Sequence, residues 1–268
     1  MKHSEQKSNQ AFNDLIARED YLVTQANILA KAFGNLSSLE HKILDFCFSF
    51  VQKTDTPDKV YKLEISSALK YLGRNASGRN YTQFMVAFRN LHKETSLAIP
   101  FERDGQRGIR LTSLFDYIDV LENGTVEFRF SNYVAPMVFE LKRNYYSFRL
   151  SELSLVKSKY TLSLLKLWNS HTYGVWRDYS NPQSLPPAAK ITGTLEEWEG
   201  WLLGTDETGK PKRWAAGRFK QNALAKAISE LERLYPAVHI DLVTEMAHRR
   251  TVGFTVTFQP IHSHLQLD

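Results

Sequence analysis

The sequence has very little cysteine and no long apolar segment. Its single cysteine, Cys47, excludes an internal disulfide and a metal site built from several thiolates. The richest apolar stretch, residues 43–51, is interrupted by Asp45 and Ser49 and is far shorter than the roughly 20 residues of a membrane helix. The first 20 residues also lack the apolar centre of a signal peptide. We therefore expect a cytoplasmic protein that is not attached to a membrane.

Sequence patterns of common catalytic centres are equally scarce. The patterns HExxH and GxSxG and cysteine–histidine clusters are absent. His262 and His264 resemble the histidine pair of rolling-circle nicking nucleases, except that the residue between them, Ser263, is polar. We predict no enzymatic activity and no catalytic residue, metal or cofactor. A nicking nuclease is kept as an alternative of a different class.

The charge distribution is uneven, although its sum is modest. The 268 residues carry a net charge of +5, and 43% of them are hydrophobic, which is enough for a substantial core. Two stretches, residues 74–93 and 210–226, contain several basic residues and no acidic one. One such stretch in each half indicates a polyanion as the partner.

The first half predicts helices followed by strands. Ser37 and Glu40 have the spacing of a capping box at the start of a helix that extends to Val51. Two more helices are expected at 64–72 and 80–93. Strands are expected at 96–101, 108–121 and 124–130.

The second half repeats this order of elements. Helices are expected at 158–171, from the capping box at Thr194 to Leu203, and at 214–234. A hairpin with strands at 238–243 and 252–258 follows. Three helices and a β hairpin, present twice, predict an α+β protein with two tandem winged-helix domains. The expected organisation is a polar tail at 1–20, a first domain at 21–144 and a second at 145–268.

The predicted helix at 214–234 has two contrasting faces. One face is apolar, and the face opposite to it carries Arg218, Gln221 and Asn222, which can form paired hydrogen bonds with guanine or adenine in the major groove. We predict that these three contact base edges, with an ordinary solvated surface as the alternative. The apolar face comprises Ala216, Phe219, Ala223, Leu224, Ala227, Leu231 and Leu234.

Basic residues around this helix are expected to bind DNA phosphates, which position a protein without specifying sequence. Lys220 is the least secure of them because it lies toward the apolar side of the helix. The full set is Lys210, Lys212, Arg213, Lys220, Lys226, Arg249 and Arg250.

The helix predicted at 80–93 leaves three interpretations open. A second recognition helix, a phosphate-facing surface and a subunit interface all fit its outer face, and Val86 on that face favours the interface. The candidate DNA contacts of the first domain are Arg74, Arg79, Thr82, Gln83, Arg89 and Lys93.

Three segments resemble the Rep_3-type plasmid replication initiators. FKQNALAKAISEL, residues 219–231, resembles the F-K-x-x-V-L-x-x-A-x-x-E-I helix of that family. VTQANILAKAFGNLSSLEHKIL resembles its asparagine-containing segment followed by L-S-x-x-E, and residues 158–160 resemble the S-x-Y start of a helix in its second domain. An arginine and a tyrosine that usually continue this last helix are replaced by Ser163 and Leu165.

The resemblance implies two winged-helix domains that bind directly repeated origin sequences, called iterons, in double-stranded DNA. It also implies opening of an A·T-rich region, recruitment of host replication proteins such as the host initiator and helicase, and repression of the protein's own promoter by a homodimer. The family's recognition helix corresponds to residues 214–234, and its wing to the hairpin with Arg249 and Arg250. A winged-helix transcription regulator without initiator activity remains the alternative.

Overall fold

The computed structural model describes residues 22–52, 54–139, 145–172, 184 and 186–261. The elements of the first half, in chain order, are β1 (Leu22–Ala26), a 3-10 helix (Asn27–Lys31), α1 (Ser38–Phe48), β2 (Tyr61–Glu64), α2 (Ile65–Tyr71), α3 (Gly78–Glu94), β3 (Ser96–Arg103), β4 (Gln106–Ser113), β5 (Phe115–Val120), β6 (Thr125–Phe130), a second 3-10 helix (Asn132–Val134) and α4 (Ala135–Val138).

Side-chain caps mark the starts of α1 and α3. The Ser37 hydroxyl accepts a hydrogen bond from the Glu40 amide, and the Glu40 carboxylate accepts one from the Ser37 amide at 2.7 Å. At α3, the Ser77 hydroxyl accepts a hydrogen bond from the Asn80 amide. These bonds satisfy amides that the first helical turn leaves unpaired. The capping box predicted at Ser37 is therefore confirmed.

Strands β2 to β6 of the first half form two separate sheets. β2, β6 and β5 make an antiparallel three-stranded sheet, and β3 pairs with β4 in a hairpin. The single strand expected at 108–121 is wrong, because the chain leaves β4 and enters β5 at Leu114. This residue is fully buried, and its amide donates to the Thr95 carbonyl at 2.9 Å. β2 was not predicted from the sequence; it has only four residues, and their side chains alternate between buried and exposed.

The second half has the same order of elements around its sheet. β8 (Ala189–Thr194) lies between α6 (Lys159–Ser170) and α7 (Leu195–Leu203), the first two of the three helices predicted for this half, and pairs with the last strand, β10 (Arg250–Pro260), as β2 pairs with β6. Both halves are winged helices, so the predicted α+β fold is confirmed. The elements are β7 (Tyr145–Arg149), α5 (Leu150–Leu155), α6 (Lys159–Ser170), β8 (Ala189–Thr194), α7 (Leu195–Leu203), α8 (Ala216–Phe219), a π-helical turn (Lys220–Ala225), α9 (Lys226–Leu234), β9 (Val238–Ala247) and β10 (Arg250–Pro260).

Two boundaries in the second half differ from the sequence expectation. The helix predicted at 214–234 begins at Ala216 rather than at Trp214, whose amide donates to a side chain of α7. β9 and β10 extend well beyond 243 and before 252, which leaves a turn of only two residues, His248 and Arg249. Both turn residues have a left-handed backbone, with φ of 46° and 64°. This conformation matches the twist of the paired strands in a tight hairpin.

The two halves meet in one continuous core. β1 pairs antiparallel with β7, so the beginnings of both halves share a two-stranded sheet. A buried ion pair also joins them: Lys166 of α6 lies 2.7 Å from Asp45 of α1, and neither side chain is more than 2% exposed. The tail expected at 1–20 and residue 144, where the first domain is expected to end, lie outside the described residues and stay predictions.

Candidate nucleic-acid interface

α8, the π-helical turn and α9 form one continuous helix, called here the 216–234 helix. Its outer face is the face that the sequence pattern predicts to contact DNA. Most of the predicted apolar face is buried, with Phe219, Ala223, Leu224, Ala227 and Leu231 inaccessible to solvent. Asn222 is half-buried. No acidic residue occurs among the exposed positions at the start and middle of the helix, which are Gly217, Arg218, Gln221, Ala225, Lys226 and Ser229. Small and hydrogen-bonding side chains on this face allow close approach to a polyanion.

The π-helical turn coincides with two of the three predicted base contacts. It spans Lys220–Ala225 and therefore includes Gln221 and Asn222. π-helical turns are rare and occur frequently at functional sites. A helical wheel with a constant angle per residue has no means of detecting one. Phe219, just before the turn, packs against Phe254 of β10 with ring centroids 5.9 Å apart and anchors the helix to the sheet.

Arg218 lies near the N-terminal end of this helix beside an aromatic residue. Its guanidinium carbon is 4.5 Å from the centre of the Trp214 ring. Tyr160 of α6 contacts the same ring edge to face, with centroids 6.1 Å apart. The sequence analysis misses this arrangement. The spacing of four residues between Trp214 and Arg218 is its only signal, and Trp214 precedes the helix.

Three of the predicted phosphate contacts already bind protein groups. The Lys212 ammonium donates to the Asn35 side-chain carbonyl at 2.8 Å, and the Lys220 ammonium donates to the Thr244 hydroxyl at 2.9 Å. Arg213 forms an exposed ion pair with a carboxylate of α7 at 2.7 Å. These cations would have to share or exchange their present partners to contact a phosphate.

The other four predicted phosphate contacts are exposed and available. Their side chains make no hydrogen bond or ion pair with any residue that the structure describes. Two of them lie at the tip of the β9–β10 wing, and the others flank the start and middle of the 216–234 helix. They are Lys210, Lys226, Arg249 and Arg250.

The outer face of α3 differs from that of the 216–234 helix. Thr82, Arg89 and Lys93 are exposed, as predicted, but Met85 and Val86 between them are also 50% and 40% exposed. A cavity of about 780 Å³ lies between this face and β5, and most of its lining is apolar. α3 therefore combines basic residues with an apolar groove.

Several first-domain candidates are engaged with neighbouring groups. The Arg74 guanidinium donates to the Gln83 side-chain carbonyl at 2.8 Å, and the Thr82 hydroxyl donates to the Gly78 carbonyl. Lys93 lies 3.9 Å from its neighbour Glu94. Arg79 and Arg89 are exposed and have no such partner among the described residues.

The β3–β4 hairpin carries arginines that were not among the predicted DNA contacts. Arg103 and Arg107 flank the exposed turn at its tip. The Arg110 guanidinium lies over the rings of Phe101 and Tyr133, 4.9 Å and 4.2 Å from their centres. Because the segment ERDGQRG also contains acids, its charge sum gives no signal. Only the hairpin geometry shows that these cations project from the protein.

A buried polar cluster connects α1 to α6 and so relates the two halves. The Lys166 ammonium contacts Asp45 and lies 3.4 Å from His41 Nδ1, and the Gln25 amide donates to Asp45 at 2.9 Å. Burial, together with the charges of Lys166 and Lys159, lowers the pKa of His41 well below 6.5. His41 is consequently neutral, and its Nδ1 accepts from the ammonium.

The described part of the chain contains neither a candidate metal site nor a candidate membrane span. No group of three or more histidine, cysteine, aspartate or glutamate residues there could hold a metal ion. None of the helices in the same ranges is both long and apolar enough to cross a bilayer. His262 and His264, the histidines of the nuclease alternative, lie outside the described residues.

Comparison with known protein families shows to which family this chain belongs. The first winged-helix domain of the initiator replication proteins matches residues 22–169, which is more than half of the sequence. The chain belongs to the initiator replication protein family. The resemblance to the Rep_3-type initiators is thereby confirmed. No curated protein matches this family member in sequence.

One of three similar solved structures shares the overall fold. The crystal structure of the Pi initiator protein in complex with iteron DNA superposes with a TM-score of 0.65 at 16% identity, covering 90% of this chain and 97% of that one. The first winged-helix domain of MSBI1.176, a replication protein isolated from a multiple sclerosis patient, gives 0.36 at 17% identity over 53% of this chain and 98% of that one. Domains 2 and 3 of RctB give 0.44 at 10% identity, covering 88% and 81%.

Proposed function

We propose that this protein binds directly repeated sequences in double-stranded DNA at a plasmid origin and initiates replication there. The observation that carries the proposal is the outer face of the 216–234 helix, which is exposed, lacks acids from 217 to 229 and presents Arg218 and Gln221. The Pi initiator, whose fold this chain shares, was crystallised with iteron DNA. The DNA in that crystal structure supports DNA as the ligand of this protein as well.

Within this proposal, the contacts divide by what each side chain can recognise. Arg218, Gln221 and Asn222 contact base edges, because guanidinium and amide groups form paired hydrogen bonds with guanine and adenine. Cations that lack a protein partner bind phosphates most strongly, and this favours Lys226 and Arg249 over Lys212, Arg213 and Lys220. The wing then lies against the sugar–phosphate backbone beside the groove that the helix enters.

The proposed mechanism is one of binding without a catalytic step. Occupied repeats open the neighbouring A·T-rich region and recruit the host initiator and helicase. A homodimer represses the protein's own promoter. Membership of the initiator family supports these roles.

Footprinting on the DNA that flanks the gene tests the proposed binding. We expect protection of short direct repeats over more than one helical turn, about 10 bp, because two domains dock in successive grooves. The logarithm of the affinity should fall steeply and linearly with the logarithm of the salt concentration, since each neutralised phosphate releases counterions. Protection of less than one turn, or equal binding to random DNA, would contradict the proposal.

Two further assays separate an initiator from its rivals. A circle that carries only the gene and its flanking DNA should replicate in the host, and a plain transcription regulator would not maintain it. Supercoiled origin DNA incubated with the protein and a divalent metal should stay supercoiled. Relaxation or a covalent protein–DNA adduct would instead demonstrate a nicking nuclease.

A further inference from the structure

We propose that Trp214 and Glu199 position the Arg218 guanidinium for recognition of one guanine, which makes both of them specificity-determining residues. This inference rests on the proposed binding of DNA and adds two residues that do not themselves touch a base. The observation behind it is the stack of Arg218 on Trp214, joined to a buried carboxylate.

The geometry follows from the direction of helical side chains. Trp214 lies two residues before α8, and Arg218 is its third residue. Side chains on a helix lean toward its N-terminus, so Arg218 extends back across the indole and places its guanidinium carbon 4.5 Å from the ring centre. This direction brings the guanidinium to the end of the recognition helix that contacts base edges in helix-turn-helix proteins.

Stacking of this kind leaves the hydrogen-bonding edge of the arginine free. When a guanidinium stacks flat on an aromatic ring, its face contacts the ring and its N–H donors point outward in the plane, and the 4.5 Å between the Arg218 guanidinium carbon and the Trp214 ring centre is compatible with this arrangement. Within the described ranges, no acceptor binds these donors and no carboxylate pairs with Arg218. Guanine O6 and N7 accept two hydrogen bonds from such an edge. The indole therefore restricts the orientation of the fork before DNA arrives, which reduces the entropy lost on binding.

Glu199 fixes the position of Trp214, whose indole contacts Arg218. Its side chain is only 1% exposed, and one carboxylate oxygen accepts a hydrogen bond from the Trp214 amide at 2.8 Å. The other oxygen, Oε2, has no hydrogen-bond partner among the described residues. A buried carboxylate is costly, and a bond to a backbone amide at the helix start partly offsets that cost. Tyr160, packed against the indole edge to face, restricts the ring from a second direction.

Selection from a duplex library with randomised positions distinguishes positioning from simple packing. The full chain is tested as wild type and as Arg218→Ala, Trp214→Leu, Trp214→Phe, Glu199→Ala and Glu199→Gln. Arg233→Ala, at the far end of the same helix, serves as the matched control. Melting temperatures and affinity for a fixed random duplex are measured for each variant.

The expected pattern is a loss of preference at a single position. Arg218→Ala should remove one guanine preference of about tenfold or more. Trp214→Leu should weaken the same preference and no other, with unchanged affinity for the random duplex. Trp214→Phe retains a smaller aromatic face and should weaken the guanine preference less. If the leucine variant does not fold, the phenylalanine variant still tests whether Trp214 positions Arg218. Glu199→Ala should weaken the guanine preference at this position more than Glu199→Gln, which keeps an acceptor for the Trp214 amide. Arg233→Ala should change the base preference at no position.

The outcomes separate this inference from the function on which it rests. If Arg218→Ala removes a guanine preference that both Trp214 variants retain, the positioning role is wrong and DNA recognition stands. An equal loss on every duplex would show that Trp214 only stabilises the domain, and this too overturns the inference. If the wild type selects no sequence, or no position depends on Arg218, the proposed base recognition itself fails.

Discussion

The two halves of this protein share one architecture and expose different chemistry on equivalent elements. In the first half, β2 lies between α1 and α2 and pairs with β6, and in the second half, β8 lies between α6 and α7 and pairs with β10. The third helix of the first half, α3, exposes Met85 and Val86 beside an apolar groove. The corresponding 216–234 helix exposes Arg218, Gln221 and the small residue Ala225 instead.

The tips of the β5–β6 and β9–β10 hairpins, which are equivalent in the two halves, show the same contrast. The turn between β5 and β6 contains Glu122 and Asn123, whereas the turn between β9 and β10 contains His248 and Arg249. A carboxylate at the tip repels DNA phosphates and a guanidinium attracts them. Equivalent buried patterns thus support surfaces of opposite character, and function depends on the exposed positions rather than on the fold.

Lys166→Met should have the largest effect, because it disrupts the contact that relates the two halves. It leaves Asp45 buried without its partner, which costs about 3–5 kcal/mol in the free energy of unfolding. Urea denaturation measures this loss. The double variant with Asp45→Asn removes the uncompensated charge and should recover much of it. An equal loss in the single and double variants would contradict the pairing.

Arg218→Ala and Arg89→Ala compare the exposed arginines of the two third helices on the same duplexes. Arg218→Ala should cost about 1–3 kcal/mol on the preferred duplex and much less on a random one. Arg89→Ala should weaken binding to all duplexes alike and reduce the salt slope by about one. Fluorescence anisotropy measures both effects. A sequence-selective loss with Arg89→Ala would show that α3 also recognises bases.

His41 should make the contact between the halves sensitive to acid. Its pKa is well below 6.5 in the folded protein, so below that pH the unfolded chain takes up a proton that the folded one does not. Stability should then fall progressively as the pH drops below about 6.5.

His41→Gln isolates this effect, because the carboxyl groups titrate in both proteins. The difference in unfolding free energy between the variant and the wild type should be constant above about pH 7 and should change progressively below about pH 6. Parallel stability curves down to about pH 5 would show that His41 does not contribute.

Gly217→Ala and Gly78→Ala should give the smallest changes, and they compare the starts of the two third helices. No atom lies within 4 Å of an added Cβ at either position. Each substitution should therefore stabilise the protein by about 0.4–1 kcal/mol by restricting the unfolded chain. Only Gly217→Ala should weaken DNA binding, because its methyl group projects where the duplex approaches. Equal effects on DNA affinity would argue against a closer approach by the second domain.

Sequence reasoning succeeded where local chemistry specifies an element. The capping boxes at Ser37 and Thr194 and the apolar spacing along 216–234 appear in the structure at the expected places. It failed at β2, which has only four residues, and at β8, whose six residues include Gly193 and only one large apolar side chain, Ile191. It also failed at the π-helical turn, which a regular periodicity does not reveal. The roles of the predicted DNA contacts remain predictions.

The order of helices and hairpins and the choice of the outward face were encoded locally, because burial recurs at helical spacing and capping residues mark helix starts. The contact partner of each cation was not encoded locally. Lys212 contacts Asn35 across 177 positions, Lys166 meets Asp45, and Arg218 lies on an indole that precedes the helix. Such contacts depend on how whole elements pack, and periodicity along one segment carries no information about what lies a few ångströms beyond it.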